Sequence, residues 1–250
     1  MTLPARTVYV AVASSGIEAA CLGHGGLDAF LSPAEAASAG RFRRPADRLD
    51  YSASHALFRL LAARQLGLGP GAAAGLEVRR RCSGCGGTDH GKPEIEGTGL
   101  SLSRSHGAVM AAAGPAGASL GADLEKIPAS VFDGFDDFAV APGELAGHDG
   151  SGEGSAEDDK KDDDAARMRL WVAKEAVLKA AGLGLSLEPA SLRLLPSGSP
   201  GVYRTECPHH APVHGMLSCA VPAAAGYAAA VAAHAGLPPQ RLSLAEIFAT

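Results

Sequence analysis

The sequence predicts a mixed α/β fold of the α+β type, built from two similar halves that each hold one long helix and a small antiparallel sheet. Three observations predict it. Residues 52–66 and 165–181 have the apolar spacing of helices, and a glycine follows each segment. Pairs of short β-type runs flank Gly107 and Gly226. The two halves, expected at 1–115 and 116–250, therefore suggest a faint internal duplication.

The first half begins with a strand and a capped helix. Ser32-Pro33-Ala34-Glu35 predicts a helix start, because it supplies an N-cap serine, a proline at the first helical position and an acid in the first turn. The long helix follows at 52–66, and 69–75 is predicted as a loop. The predicted strands lie at 8–13, 99–103 and 108–113, the last two joined by a turn at His106-Gly107.

The second half contains an acidic, low-complexity run at 147–164, which predicts a mobile surface loop with charges that serve solvation rather than a metal site. The second long helix is expected from Ala165 to Ala181 and ends at Gly182. The predicted strands of this half lie at 119–125, 191–195, 216–221 and 227–232.

Composition excludes several classes of protein. Hydrophobic residues make up 46% of the 250, so a buried core is feasible, and a formal net charge of -5 argues against general nucleic-acid binding. No run reaches the ~20 consecutive apolar residues of a membrane helix, and no signal peptide is evident. The five cysteines are an odd number, so we expect reduced thiols and a cytoplasmic protein.

Asp123 and Glu125 are the first candidate metal ligands. Residues two apart in a strand share a face, so both carboxylates can converge on one point, where their repulsion calls for a cation. That cation is either a metal ion or a neighbouring side chain such as Lys126.

The second long helix carries an unusual stripe. At helical spacing, one face combines Trp171, Lys174, Glu175, Leu178 and Lys179. The simpler alternative is an exposed Glu–Lys pair, which contributes only ~0.3–0.5 kcal/mol. Three carboxylates with a lysine beside them suit Mg²⁺ that holds a phosphate-bearing substrate.

Other segments supply groups for phosphate or metal. The turn His90-Gly91-Lys92-Pro93 presents a lysine, and residues 101–106 end a strand with hydroxyls and cations that can bind phosphate oxygens. Cys82, Cys85 and His90 have the spacing of zinc ligands but lack a clear fourth, unless the segment with Cys207, His209, His210 and His214 folds back. The alternative is a glycine-rich turn with reduced cysteines.

In this order, the motifs resemble the 4'-phosphopantetheinyl transferases of the Sfp type, which activate carrier proteins of peptide, polyketide and siderophore synthesis. The resemblance runs from about residue 41 to about residue 232. The matching segments are 54–61, 91–93, 101–105, 121–125 and 171–185.

The resemblance implies a pseudo-two-fold fold with coenzyme A in the cleft between the halves, its nucleotide on the side of 1–115 and its pyrophosphate on the side of 116–250. It implies Mg²⁺ held by Asp123, Glu125 and Glu175, and Lys179 on the pyrophosphate. Coenzyme A contacts are assigned to Lys92, Ser103, Arg104 and Lys174. Glu144 stands where some members have a glutamate proposed as the general base.

Two positions depart from the family pattern. Arg104 stands where the family often has a histidine. An arginine keeps a cation for phosphate, but it cannot transfer protons at neutral pH. Asp50 replaces an arginine that would contact the 3'-phosphate, so Arg48 or Arg44 is expected to substitute.

The implied reaction transfers phosphopantetheine from coenzyme A to a serine of an apo acyl or peptidyl carrier protein and releases adenosine 3',5'-bisphosphate. The alternative is a non-catalytic nucleotide- or zinc-binding regulatory module. A monomer is expected, and the carrier should be a small acidic helical domain. Candidates for the surface that binds this carrier are Val131, Phe132, Phe135 and Phe138, although Asp133, Asp136 and Asp137 beside them do not suit an acidic partner. The alternative is that the three phenylalanines are core.

Overall fold

The computed structural model describes residues 6–81, 84–88, 90–144 and 156–249, which form eleven strands and six α-helices. The helices are α1 (Ser14–Cys21), α2 (Pro33–Ala39), α3 (Pro45–Gln65), α4 (Phe135–Ala139), α5 (Ala156–Ala181) and α6 (Leu244–Phe248). The strands are β1 (Val8–Ala13), β2 (Arg79–Arg81), β3 (Lys92–Glu94), β4 (Gly99–Ser105), β5 (Ala108–Gly114), β6 (Leu120–Lys126), β7 (Arg193–Pro196), β8 (Val202–Glu206), β9 (Leu217–Ala220), β10 (Tyr227–Ala233) and β11 (Gln240–Arg241).

The first half consists of α3 and a four-stranded sheet in the order β11-β1-β5-β4. Strand β5 pairs antiparallel with β1 and β4, and α3 packs on β4 and β5. The buried face of α3 includes Leu57, Leu60 and Leu61, which join Val109 in one apolar core. Each buried leucine contributes about 1.5–3 kcal/mol, so this face is the main link between helix and sheet.

Helix starts in the first half follow their capping residues. The helix start predicted at Ser32 is confirmed, and Ser32 and Glu35 form a capping box, in which each side chain accepts a hydrogen bond from the other residue's backbone N–H. The long helix begins at Pro45 rather than at residue 52, because proline fits the first turn and Asp47 adds a favourable negative charge there.

The second half repeats the arrangement with α5 and a five-stranded sheet in the order β6-β10-β9-β8-β7. All neighbouring strands in this sheet are antiparallel. Helix α5 packs on β6 and β10 and buries Val172, Ala176, Val177 and Leu178. The prediction of two halves, each with a long helix and a small sheet, is therefore confirmed.

Helix α5 begins at residue 156, so the prediction of a loop is wrong for 156–164. The rest of that prediction, 147–155, lies outside the described residues. The physical reason is the helix macrodipole: acidic side chains near an N-terminus stabilise a helix, although the same composition is typical of a solvated loop.

The two sheets meet where β4 lies against β6. Ser101 Oγ accepts a hydrogen bond from the backbone N–H of Ala122 at 2.9 Å, and Ser105 Oγ accepts one from that of Lys126 at 3.2 Å. A separate apolar cluster fills the space behind this junction, formed by Tyr9, Ala11, Ala108, Met110, Ala112, Leu120, Ala122, Leu124, Ala229, Val231 and Ala233. Alternate side chains of β4 therefore point at the second half.

The end of the chain returns to the first half. Strand β11 pairs with β1 in parallel, and Leu242 and Ile247 join the core under α3. The division at 115 and 116 stays a prediction, and the first sheet includes one strand from beyond it. No helix in the described ranges is both long enough and apolar enough to cross a membrane.

Candidate active site

Two carboxylates of β6 lie at the junction with β4. Asp123 is 2% exposed, and its Oδ1 accepts hydrogen bonds from Ser103 Oγ at 2.9 Å and from Lys179 Nζ at 2.5 Å. Glu125 Oε2 accepts a hydrogen bond from Ser105 Oγ at 2.6 Å. Because residues two apart in a strand share a face, two hydroxyls of one half meet two carboxylates of the other.

Helix α5 can bring Glu175 and Lys179 to these carboxylates because residue 121 is a glycine. A Cβ at Gly121 would lie 1.8 Å from the carbonyl oxygen of Ala176, far inside van der Waals contact. The helix therefore lies directly on the backbone of β6. Glu175 and Lys179 are one turn apart, on the edge of α5 beside Asp123.

The three carboxylates act on one another electrostatically. The pKa of Glu175 is raised to about 7, first by burial, then by the charge of Asp123 and to a smaller extent by Glu125, while Lys179 lowers it. Burial also raises the pKa of Glu125, and Asp123 adds to that effect against the Ser105 hydrogen bond. One lysine does not balance three carboxylates, so the cluster carries excess negative charge.

This carboxylate cluster (Asp123, Glu125 and Glu175) has the donor chemistry of a Mg²⁺ site. Among the described residues, Asp123 Oδ2 and Glu175 Oε1 are buried without a hydrogen-bond partner, and orphaned carboxylate oxygens suit a hard cation. Within the described part of the chain, however, no three His, Cys, Asp or Glu side chains are already arranged as a metal site. Lys179 and Ser103 hold Asp123 Oδ1 and Ser105 holds Glu125 Oε2, so use of these oxygens by a cation would require the contacts to rearrange.

A cavity of about 400 Å³ adjoins the cluster at Lys179. Its other lining residues include Lys92 and Pro93 from β3, Ser101 and Leu102 from β4, and the glycine-rich segment after α5. Lys92 Nζ donates a hydrogen bond to the carbonyl oxygen of Ala180 at 3.1 Å, and burial lowers the Lys92 pKa. The structure therefore brings the predicted ligands Lys92 and Lys179 to one cavity between the two halves.

The remaining predicted cations lie on the first half. Arg104 is exposed, and its guanidinium lies 5.2 Å from the ring centroid of Tyr51 and 5.9 Å from that of Phe42. Arg44 is exposed at the N-cap of α3. Arg48 lines a different cavity of about 350 Å³, which none of the cluster carboxylates lines.

Asp50, which departs from the family pattern, has a structural role. It accepts hydrogen bonds from Ser14 Oγ at 2.5 Å and from the backbone N–H of Gly107 at 2.9 Å. These bonds fix the turn between β4 and β5 against the start of α1. His106 in that turn has a φ of 46°, and Tyr227 Oη donates to its carbonyl oxygen at 2.5 Å.

Glu144 and Lys174 form a buried ion pair with an N–O distance of 2.6 Å and side-chain exposures of 3% and 0%. Lys174 Nζ also donates to the carbonyl oxygen of Ala139. Glu144 accepts hydrogen bonds from the backbone N–H groups of Ala141 and Leu194 as well, so both of its oxygens are engaged. These contacts favour a structural role over the predicted roles of general base and coenzyme A ligand.

The predicted stripe on α5 divides into two faces. Lys174 and Leu178 point into the core, whereas Trp171, Glu175 and Lys179 are half-buried along an adjoining edge. Residues 171, 175 and 179, which are four apart, form the half-buried edge. Residue 174, three positions after 171, faces the core instead. Helical spacing alone could not tell which lysine would be buried.

The predicted zinc ligands are described only in part, because Cys82 lies outside the described residues. Cys85 Sγ lies 3.2 Å from His90 Nε2. In the second half, the backbone N–H of buried Cys207 donates to His214 Nδ1 at 3.2 Å. Neither group belongs to a described cluster of three metal-binding side chains.

Sequence reasoning assigned no separate site role to Ser105 or Gly121. The alternation of serines at 101, 103 and 105 could have identified Ser105, because all three lie on one face of a strand. Nothing local identifies the function of Gly121, since its neighbour in space lies on a helix more than fifty residues later.

Comparison with known proteins bears on the segment that holds the site. No curated protein matches this chain. Residues 119–232, which carry β6, α5 and all three carboxylates, match the family model of the 4'-phosphopantetheinyl transferase superfamily.

Proposed function

We propose that the protein transfers the 4'-phosphopantetheine group from coenzyme A to a serine of an apo acyl or peptidyl carrier protein, with Mg²⁺ as cofactor. One arrangement carries the proposal: Lys179 binds Asp123, and Glu175 lies close enough for the charges of Asp123 and Glu125 to raise its pKa, all within the segment that matches the superfamily. The match supports phosphopantetheinyl transfer in general. The Sfp type, the cofactor and the acceptor belong to the proposal.

The reaction needs positioning and charge neutralisation more than covalent help from the protein. The serine hydroxyl gives its proton to solvent as its oxygen bonds to the phosphorus nearest the pantetheine arm, the bond from that phosphorus to the bridging oxygen breaks, and adenosine 3',5'-bisphosphate leaves. Mg²⁺ held by Asp123, Glu125 and Glu175 would supply positive charge for the pyrophosphate and its leaving oxygen.

The side chains around the cluster provide the other roles. Lys179 contacts the pyrophosphate after releasing Asp123. Lys92, which lines the cavity, and Ser103, which accepts a hydrogen bond from Lys179 Nζ, serve the nucleotide end of coenzyme A. Arg104 and one of the basic residues Arg44 and Arg48 supply charge for the 3'-phosphate. We assign Lys174 and Glu144 to holding α5 in place, because their buried pairing leaves neither free for substrate.

The setting of the reaction follows from the same proposal. Coenzyme A and carrier proteins meet in the cytoplasm, where the free cysteines Cys21, Cys207 and Cys219 stay reduced. A fold that contains both halves of its cleft can act as a monomer.

Intact-mass spectrometry tests the proposal directly. The purified protein, coenzyme A, Mg²⁺ and an apo carrier are incubated together, with carriers of peptide and fatty-acid type. We expect the carrier mass to rise by one phosphopantetheine group, and EDTA to prevent it. A serine-to-alanine carrier is the control, and unchanged mass in every wild-type reaction would refute the transferase function.

The alternative, a non-catalytic zinc- or nucleotide-binding module, is favoured only by the contact between Cys85 and His90. Elemental analysis separates the two. Stoichiometric zinc together with no calorimetric binding of coenzyme A would support the module.

A further inference from the structure

Helix α5 presents one open edge that runs away from the carboxylate cluster. Half-buried positions recur every four residues at Asp163, Arg167, Trp171, Glu175 and Lys179, and the other residues from 172 to 178 are buried. At 1.5 Å of rise per residue, Trp171 lies only about 6 Å from Glu175 along the helix axis. A molecule bound at Trp171 would therefore lie next to the reacting groups.

An aromatic cluster continues this edge. Phe132 and Phe138 are 56% and 39% exposed, and their ring centroids lie 6.2 Å apart. Phe138 also packs 5.8 Å from Trp171, while Phe135 is buried beneath them. The prediction of core is thus confirmed for Phe135 alone. Exposed large aromatic side chains held in mutual contact are typical anchors of protein–protein interfaces.

An acidic cavity of about 620 Å³ lies beside the aromatic cluster. Asp164 lines it and is 4% exposed, and its Oδ2 has no hydrogen-bond partner among the described residues. Arg167 donates hydrogen bonds from Nε and Nη2 to the two oxygens of Asp136, and its Nη1 lies 3.9 Å from Asp164 Oδ1. The other acidic residues that line the cavity are Asp133, Asp137 and Asp163.

We propose that the aromatic cluster and the acidic cavity form the docking surface for the acceptor protein. The partner inserts an apolar side chain against Phe132 and Phe138 and places a lysine or arginine in the cavity, where it pairs with Asp164. The identity of the partner as the acceptor rests on the proposed function. Charge complementarity determines the partner's chemistry, because an acidic surface on the partner would be repelled by the carboxylates that line this cavity.

The consequence is a preference among carriers. The resemblance implies a carrier that is acidic overall, and such a domain fits this surface only if basic side chains flank its acceptor serine. One carrier made in two versions, with lysines or with glutamates at the positions flanking that serine, isolates this effect from all other differences.

Steady-state kinetics with both carriers test the inference. For the wild type, we expect a KM roughly tenfold lower for the lysine version. Phe132→Ser with Phe138→Ser should raise KM roughly tenfold for both carriers without changing kcat. Asp133→Lys with Asp137→Lys should reverse the preference. Leu22→Ser, which removes an even more exposed apolar side chain from the first half, is the control.

Calorimetric titration of coenzyme A with each variant shows whether the substrate site is intact, and unchanged affinity is expected throughout. Normal turnover with unchanged KM in the aromatic and aspartate variants would overturn the docking surface alone. If the wild type modifies neither carrier, the proposed function fails and this inference with it.

Discussion

At the scale of single residues, the half-buried Glu175 and the buried Glu35 show pKa shifts in opposite directions. Glu175 lies among like charges, and its pKa is raised to about 7. Glu35 accepts hydrogen bonds from Arg59 Nε at 2.6 Å and from the Ser32 backbone, and its other oxygen lies 2.9 Å from His55 Nδ1. Burial raises the Glu35 pKa, but these partners outweigh it and lower the value to about 2. The first glutamate suits a binding site, and the second suits a structural link.

Without Mg²⁺, Glu175→Gln should stabilise the protein at pH 8. The folded-state pKa of about 7 lies above the ordinary value of 4.5, so ionisation of Glu175 costs stability as pH rises between these values. Removing the charge should recover up to about 3 kcal/mol at pH 8 and little below pH 4.5. Thermal melting in EDTA at both pH values measures this, and a less stable variant at pH 8 would contradict the cluster's excess charge.

Glu35→Gln should have the opposite effect. Its folded-state pKa of about 2 lies below 4.5, so its contribution is complete above pH 4.5 and is lost as pH falls towards 2. The variant should lose about 3 kcal/mol at pH 7, where it leaves buried Arg59 without its charge partner. Urea unfolding at pH 7 and pH 3 tests this; equal losses at both would indicate that charge pairing is not the cause.

At the scale of elements, the site depends on how closely α5 approaches β6. Gly121 permits the contact, and the Lys174–Glu144 pair ties α5 to the segment after α4 and to the start of β7. Neither Gly121 nor this ion pair is one of the proposed reacting groups. They set the position of Glu175 and Lys179 relative to Asp123.

Gly121→Ala should displace α5 and disable the site. The new Cβ would overlap the Ala176 carbonyl oxygen, so we expect a loss of about 3 kcal/mol and a fall in kcat of about 100-fold from misplaced groups. Gly16→Ala in α1, where the nearest atom to the new Cβ is Leu244 Cδ1 at 4.0 Å, is the control and should not destabilise the protein. Melting curves and transfer rates decide; a stable, fully active Gly121→Ala variant would mean that α5 does not depend on this contact.

Lys174→Met should destabilise the fold by about 3–5 kcal/mol, because it leaves Glu144 buried and uncompensated. Lys179→Met removes a cation that is 31% exposed and leaves Asp123 with the hydrogen bond from Ser103, so it should destabilise the fold less than Lys174→Met while losing activity. Chemical denaturation distinguishes them. Equal stability of both variants would show that Lys174 has no structural role.

At the scale of the whole molecule, local patterns predicted the repeated unit but not its connections. Strand β1 and the turn at His106-Gly107 lie where the sequence placed them, because alternation and turn residues act locally. Strand β8 was missed, since the burial of its side chains does not alternate. The parallel pairing of β11 with β1 joins residues too far apart in the chain for any local pattern to indicate.

For the site as well, the local arrangement of side chains was predictable and the long-range contacts were not. The spacing of Asp123 and Glu125 predicted a shared face, and the structure places hydroxyls of β4 against both. The burial of Lys174 could not be predicted, because its partner Glu144 lies thirty residues away and across the core. The contacts between halves come from tertiary packing, which the sequence specifies only through the complete fold.

The central claim is that Asp123, Glu125 and Glu175 together bind a divalent cation that holds coenzyme A, and titration calorimetry of coenzyme A tests it most directly. The account predicts tight binding in Mg²⁺, with affinity at least about 100-fold lower in EDTA and in the folded Asp123→Asn and Glu175→Gln variants. Equal coenzyme A affinity for wild type and both variants, with or without Mg²⁺, would contradict it.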